Sequence, residues 1–119
     1  MKRMTGFLIL AALAASAYAD GDAQRGQVEW SARCATCHAI NADRVGPRHG
    51  GVFGRRAGSV PGFNYSPALK AAGHTWDAVT LDRWLTDPEK FVPGQRMFVK
   101  VPEARERQDI IAYLRTLKS

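Results

Sequence analysis

The sequence predicts one small all-α domain, in which several short helices are joined by loops rich in glycine and proline. Apolar residues recur at helical spacing near both ends of the chain, and no stretch has the alternating or continuous β-branched pattern of a strand. Eleven glycines and six prolines interrupt the 119 residues, which keeps the predicted helices short. Because no repeat or low-complexity segment occurs, we expect a single domain without linkers.

The first predicted helix spans about residues 23–33, with Asp22 as its N-cap. A second helix follows the N-cap Ser66, with Pro67 in its first position. Gly73 is its predicted C′ glycine, which gives a helix of two turns.

Thr75 is the predicted cap of a third helix, on which Leu81, Trp84 and Leu85 form one apolar stripe. Proline disfavours helical backbone in the residue before it. The helix is therefore expected to end before the Asp87-Pro88 pair, which starts a short turn.

The last predicted helix runs from about Glu103 to Lys118, after a break at Pro93-Gly94. Its apolar face carries Ile110, Tyr113, Leu114 and Leu117. The glycine-rich segment 41–63 has no hydrophobic period. We expect it to be ordered only by contact with something large.

The pentapeptide Cys34-Ala35-Thr36-Cys37-His38 follows the first helix and has the C-x-x-C-H attachment pattern of c-type haem. Its thiols can form thioethers with the two vinyl groups of a porphyrin, while His38 reaches the iron. A structural disulfide, a thioredoxin-like pair or half of a zinc site are alternatives, but none of them uses all three side chains. The motif predicts one haem c, covalently bound through Cys34 and Cys37.

Residues 1–19 resemble a secretory signal peptide: Lys2 and Arg3 precede an apolar run, and Ala17-Tyr18-Ala19 is a cleavage pattern. We expect export to the periplasm and a mature domain of residues 20–119; an uncleaved anchor is the alternative. Loss of Lys2 and Arg3 lowers the formal charge from +6 to +4. Such a moderately basic chain without a block of like charges predicts no nucleic-acid partner.

Met97 is the only methionine outside the predicted leader, and it follows the Pro93-Gly94 turn. A soft thioether suits haem iron in an electron carrier. We therefore predict Met97 as the second axial ligand beside His38. A core-filling role for Met97 is the alternative, and His49 and His74 are the rival ligands.

Over residues 21–117 the chain resembles the small soluble class I cytochromes c of bacterial periplasm and mitochondria. The resemblance rests on Cys34–His38 and on further ordered motifs, which are Gly46-Pro47, the segments 51–55 and 61–66, Trp76, the segment 81–94, Met97 and the segment 107–114.

The resemblance implies roles for several other residues. The Pro47 carbonyl would accept a hydrogen bond from His38. Arg55, Tyr65 and Trp76 would hold or shield a haem propionate. The resemblance also implies that the first and last helices cross through two pairs of residues, namely Gly26 and Trp30 against Ile110 and Tyr113.

Three residues depart from the mitochondrial pattern near the iron. Trp84 replaces a tyrosine that hydrogen-bonds the methionine sulfur, and an indole can only donate. Leu69 replaces an asparagine near buried water, which implies a drier distal side. His49 falls at an apolar position beside the haem, where it is either buried and able to influence the potential or exposed by a loop rearrangement.

By resemblance, the chain is a monomeric one-electron carrier with redox protein partners and is not an enzyme. Those partners are a cytochrome bc-type complex, an oxidase, a reaction centre or a dehydrogenase, met in transient contacts with membrane complexes. A basic rim of Arg33, Lys90, Arg96 and Lys100, interrupted by Glu89, would steer acidic partners. The alternatives are a haem peroxidase or gas-binding protein in which Met97 is displaced, and a thiol–disulfide module without haem.

Overall fold

The structure, a computed structural model, describes residues 1–3, 6 and 21–119. Except for residues 1–3 and 6, the predicted signal peptide therefore lies outside the described residues. Five α-helices occur in the described part, and they are α1 (Ala23–Arg33), α2 (Pro67–Lys70), α3 (Ala78–Thr86), α4 (Pro88–Phe91) and α5 (Ala104–Thr116). The only β contact there is an isolated antiparallel bridge between Arg56 and Thr75. The all-α prediction is confirmed.

Helices α1 and α5 cross at a point where α1 carries a glycine. A Cβ on Gly26 would lie 1.8 Å from the backbone oxygen of Asp109, so only glycine permits this approach. One turn further, the rings of Trp30 and Tyr113 pack with their centroids 5.9 Å apart. Ile110 is fully buried beside them. The predicted crossing is confirmed, and it places the end of α1 against the core.

The start of α1 is tied to α5 by a buried carboxylate. Asp22 caps α1 by accepting from the backbone N–H groups of Gln24 and Arg25. The backbone N–H of Asp22 donates to Asp109 over 2.7 Å, and Arg25 Nε donates to the other oxygen of Asp109 over 3.0 Å. The predicted first helix, including its cap, is confirmed at both ends.

Helix α2 is shorter than predicted. Ser66 Oγ caps it by accepting from the backbone N–H of Leu69, as expected. The helix ends at Lys70, however, since the N–H of Ala72 bonds the carbonyl of Leu69 and tightens the last turn. Gly73 adopts a positive φ of 79° beyond that turn. The prediction of two turns is therefore wrong.

Helix α3 is capped by Asp77, so the prediction of Thr75 as the cap is wrong. The Asp77 carboxylate accepts from the backbone N–H of Thr80, and the Thr80 hydroxyl accepts from that of Asp77. This reciprocal capping box satisfies two backbone donors at once. Thr75 instead supplies a carbonyl that accepts from the Thr80 hydroxyl.

Helix α5 begins at Ala104 and ends at Thr116, within the predicted range. Its apolar face joins the stripe of α3 in one core cluster, which also takes residues from the loops. The buried members include Trp30, Val52, Trp76, Leu81, Trp84, Leu85, Val101, Ile110 and Leu114. No helix in the described part of the chain has the length and apolar character that a membrane span requires.

The glycine-rich segment 41–63 is ordered by backbone hydrogen bonds to its neighbours. Gly51 N–H donates to the carbonyl of Leu117 over 2.9 Å, and Gly54 N–H donates to that of Trp76 over 2.7 Å. Ala57 N–H donates to the carbonyl of His74 over 2.8 Å. These bonds tie the segment to the last helix and to the stretch that precedes α3.

Candidate functional site

The Cys34–His38 motif forms a helical turn that continues from α1. Cys34 is the C-cap of α1, and its backbone N–H donates to the carbonyl of Trp30 over 2.8 Å. The N–H of His38 donates in turn to the carbonyl of Cys34 over 2.9 Å. Both thiols are free and half-buried. Burial raises the pKa of the Cys34 thiol to about 11.

The His38 ring is held by two neighbours in the following loop. Its Nδ1 lies 2.7 Å from the carbonyl oxygen of Pro47, which makes Nδ1 the protonated donor and leaves Nε2 without its proton. A Cβ on Gly46 would lie 2.1 Å from the ring, so only glycine lets the backbone come this close to the imidazole. Burial lowers the pKa of His38. The arrangement presents a neutral Nε2 of the kind that binds a metal.

His49 lies against His38 and is not exposed by a loop rearrangement. The two imidazole rings stack with their centroids 3.8 Å apart and 21° between their planes. Trp30 Nε1 donates to Nδ1 of His49 over 2.9 Å. Burial, with a smaller effect of His38, holds the pKa of His49 well below its ordinary value. Because the two rings lie face to face, His49 is on the same side of the site as His38. It therefore cannot bind the opposite face of a flat cofactor.

His74, the other rival ligand, is half-buried and packs against two aromatic side chains. Its ring meets Trp76 edge-on with centroids 4.4 Å apart, and Phe91 with centroids 4.9 Å apart. Its Nε2 is buried and has no hydrogen-bond partner among the described residues. Burial lowers the pKa of His74. His74 therefore contributes to the packing around Trp76 and Phe91.

Met97 is half-buried and packs against the core cluster. The loop before it turns at Gly94, which has a φ of 91° that favours glycine. Trp84 is a buried member of the same cluster, and its ring tilts against Trp76 with centroids 5.3 Å apart. Leu69 also packs on this cluster. The thioether therefore sits in apolar surroundings between loop and core.

Of the three residues expected near a propionate, Arg55 lies in the segment 41–63 and Tyr65 follows it directly. Trp76 is bonded to the segment, because its carbonyl accepts from the backbone N–H of Gly54. The guanidinium of Arg55 donates to the carbonyls of Arg48 over 2.8 Å and Gly50 over 3.3 Å. The hydroxyl of Tyr65 accepts from the backbone N–H of Val60 over 3.0 Å. Burial lowers the pKa of Arg55 and raises that of Tyr65. An adjacent carboxylate would offset the cost of burying the Arg55 charge.

The basic rim is weaker than the sequence suggests. Arg33 pairs with Glu29 over 2.8 Å and with Glu106 over 2.6 Å, so two carboxylates surround it. Lys100 lies 3.4 Å from Asp87. Only the Glu29 pair has a sequence signal, the i,i+4 spacing on α1. Among residues 21–119, Lys90 and Arg96 are the rim members that make no ion pair.

The Met97 loop contains a side-chain network that the sequence does not predict. Glu89 accepts from the backbone N–H of Gly94 over 2.9 Å and from the side-chain amide of Gln95 over 3.2 Å. The amide oxygen of Gln95 in turn accepts from the backbone N–H of Met97. No local sequence pattern marks this network, because each bond depends on how the turn folds back on α4.

The donor set fits a haem. Two unpaired thiols lie on one helical turn, a neutral imidazole follows them, and a thioether lies in apolar surroundings. Thiols of this kind form thioethers with a porphyrin, while imidazole and thioether are axial ligands of haem iron. Fold and site together define a small all-α protein with covalently attached haem.

The chain belongs to the cytochrome c family. The family model described as Cytochrome c matches residues 23–118. Cytochrome c2 of Rhodomicrobium vannielii is 43% identical over 122 residues, which cover 98% of this chain and 97% of that protein. The cytochrome c-type cyt cy of Rhodobacter capsulatus is 43% identical over 99 residues, which cover 82% of this chain and 50% of that protein.

A solved structure supports the same family. Cytochrome cH from Methylobacterium extorquens superposes with a TM-score of 0.77 at 43% identity, covering 81% of this chain and 99% of that chain. The predicted cytochrome c fold is therefore confirmed. The cofactor of the family is haem c, for which Cys34 and Cys37 are the attachment cysteines, and the chain is an electron carrier.

Proposed function

We propose that this chain is an exported, monomeric carrier in which His38 and Met97 fill both axial positions of one haem. Bound haem c supplies one-electron chemistry by cycling between its ferric and ferrous states. The observation that carries the proposal is the 2.7 Å contact between His38 Nδ1 and Pro47, which leaves Nε2 for the iron. Met97 is the only methionine beyond residue 19.

The other site residues hold these ligands and shield the cofactor. The Pro47 carbonyl fixes the His38 tautomer and raises the basicity of Nε2. Arg55, Tyr65 and Trp76 hold or shield a propionate, for which the half-buried guanidinium of Arg55 supplies the charge. With His38 and Met97 both holding the iron, no position would be left for a substrate, and the chain would catalyse no reaction of its own.

The chain exchanges electrons with redox proteins in the periplasm. The signal-peptide pattern of residues 1–19 supports export, and the relative named cytochrome c2 is bacterial. The partner classes are a cytochrome bc-type complex, an oxidase, a reaction centre or a dehydrogenase, met in short encounters at the membrane surface. Lys90 and Arg96, which lack ion pairs in the described part, supply the charge that steers acidic partners.

Mass spectrometry and absorption of the purified protein test this proposal. Intact mass is expected to equal the chain from residue 20 plus one haem, with no free thiol. The ferric protein is expected to show the weak red band of methionine–iron ligation, and Met97→Ala is expected to lose it. A band that survives in Met97→Ala, or a ferric protein without it at neutral pH, would exclude the closed site.

A further inference from the structure

Glu89, Gln95 and Met97 form a chain of hydrogen bonds that runs from the protein surface into the core. Glu89 is exposed at the start of α4, whereas Gln95 is only 5% exposed. One Glu89 oxygen accepts from Gly94 N–H over 2.9 Å, and the other accepts from the Gln95 amide over 3.2 Å. The Gln95 amide oxygen accepts from the backbone N–H of Met97. The carboxylate therefore reaches Met97 through one buried side chain.

The chemistry of these groups fixes the orientation of the Gln95 amide. A carboxylate only accepts hydrogen bonds, so it selects the NH₂ end of the amide. The amide oxygen then points at the backbone of Met97, where it can accept. The same carboxylate holds Gly94, whose φ of 91° forms the turn that leads to Met97. Glu89 thus holds the loop directly at Gly94 and, through Gln95, at Met97.

We propose that Glu89 and Gln95 are positioning residues that form a latch, defined as this pair of side chains, which holds Met97 on the iron. The inference rests on the proposed ligation by Met97 and deepens it. Because the latch already holds the Met97 backbone, less conformational entropy is lost when the thioether binds. Without the latch, the loop opens more often and the iron becomes accessible to other ligands.

An effect of the Glu89 charge alone has the opposite sign from the latch. Removing a negative charge near the iron disfavours the ferric state and raises the reduction potential. Losing a thioether ligand favours the ferric state and lowers the potential, because methionine ligation stabilises the ferrous form. Both effects act in Glu89→Ala, whereas Gln95→Ala breaks the latch without changing the charge, so Gln95→Ala separates the two explanations.

Imidazole binding to the ferric holoprotein measures how often the loop opens. Its apparent affinity is proportional to the fraction of molecules in which the iron is accessible. Glu89→Ala removes two hydrogen bonds to a charged group, and the loss of even one of them predicts at least about tenfold tighter imidazole binding. Gln95→Ala is expected to give a similar change. The double variant is expected to bind imidazole no more tightly than the tighter-binding single variant, since the two residues act as a unit.

Glu103→Ala is the matched control, because Glu103 is an exposed carboxylate at the N-cap of α5 that makes no side-chain capping bond. It is expected to keep the wild-type imidazole affinity. Glu89→Ala is expected to bind imidazole more tightly whatever the net change in its reduction potential, since loss of the charge and opening of the loop shift the potential in opposite directions. Glu89 is exposed, so this variant tests the latch even if Gln95→Ala does not fold.

The outcomes separate the latch from the ligation on which it depends. A wild-type ferric protein without the red methionine band would overturn Met97 ligation and the latch together. A wild-type protein with the band, but with unchanged imidazole affinity in Glu89→Ala, would overturn the latch alone. A rise in potential in Glu89→Ala without tighter imidazole binding would assign Glu89 a purely electrostatic effect and likewise exclude the latch.

Discussion

Replacing His74 by leucine is expected to stabilise the protein, because it removes a buried polar atom that has no partner. Nε2 of His74 is buried without a hydrogen bond among the described residues. Leaving such an atom unsatisfied costs about 1–3 kcal/mol. Leucine is close to histidine in size and carries no polar atom. The perturbation is thus confined to one side chain outside the metal site.

The expected gain is reduced by the aromatic contacts that His74 makes. Its ring packs edge-on against Trp76 at 4.4 Å and tilts against Phe91 at 4.9 Å. The favourable geometry of an aromatic pair contributes about 0.5–1.5 kcal/mol beyond its buried area. An imidazole is smaller than the rings to which that range applies, so each of the two contacts is taken at its lower end, about 1 kcal/mol together, against about 2 kcal/mol for the unsatisfied atom; His74→Leu should therefore raise the free energy of unfolding by about 1 kcal/mol at pH 7. In a domain of this size that corresponds to about 4–8 °C in Tm.

The pH dependence gives the test a second, independent readout. Burial lowers the pKa of His74 below its ordinary 6.5 in the folded state. As the pH falls below 6.5, the unfolded state therefore binds a proton that the folded state resists, and the wild type loses stability. His74→Leu lacks this loss, so the difference between the two proteins widens by at most about 1.4 kcal/mol per pH unit.

Urea unfolding of the ferric holoprotein at pH 7 and pH 5 measures both effects. His74→Gln is the control, since it removes the titration but keeps a polar end in the same place. It is expected to flatten the pH dependence without stabilising the protein at pH 7. A leucine variant that is less stable than wild type, with the same deficit at both pH values, would refute the reasoning.

Three further predictions follow from the geometry. Gly26→Ala places a Cβ 1.8 Å from the backbone oxygen of Asp109, so thermal unfolding should show a loss of about 2–3 kcal/mol; a change below about 0.5 kcal/mol would mean that α1 and α5 separate freely. Gly46→Ala forces a Cβ to within 2.1 Å of the His38 ring, and the ferric spectrum should report a disturbed or lost axial histidine; an unchanged spectrum would show that the loop yields instead. Oxidation of the ferrous protein by ferricyanide should slow as ionic strength rises, and Lys90→Gln should reduce that slope; a flat profile in the wild type would remove the argument from the basic rim.

Features that depend on neighbours along the chain could be predicted from the sequence. Asp22 and Ser66 cap helices in the predicted way, because a cap bonds backbone groups two or three residues away. The cap of α3 was misassigned, since Thr75 and Asp77 are both good caps and only the capping box with Thr80 decides between them.

Features that depend on distant contacts could not be predicted. The segment 41–63 is held by backbone bonds to residues from Ala39 to Leu117, which no local pattern reveals. The sequence does not decide between a buried and an exposed His49, because stacking on His38 and a bond from Trp30 appear only in the folded chain. The reduced charge of the basic rim likewise depends on the distant partner of Arg33, Glu106.

Proton NMR of the ferrous holoprotein tests the closed histidine–methionine site most directly. A methyl group bonded through sulfur to the iron lies over the porphyrin, whose ring current shifts its protons far upfield. The account predicts one such methyl resonance, which is absent from Met97→Ala. A ferrous protein whose Met97 methyl resonates at an ordinary position, or whose upfield signal survives in Met97→Ala, would contradict it.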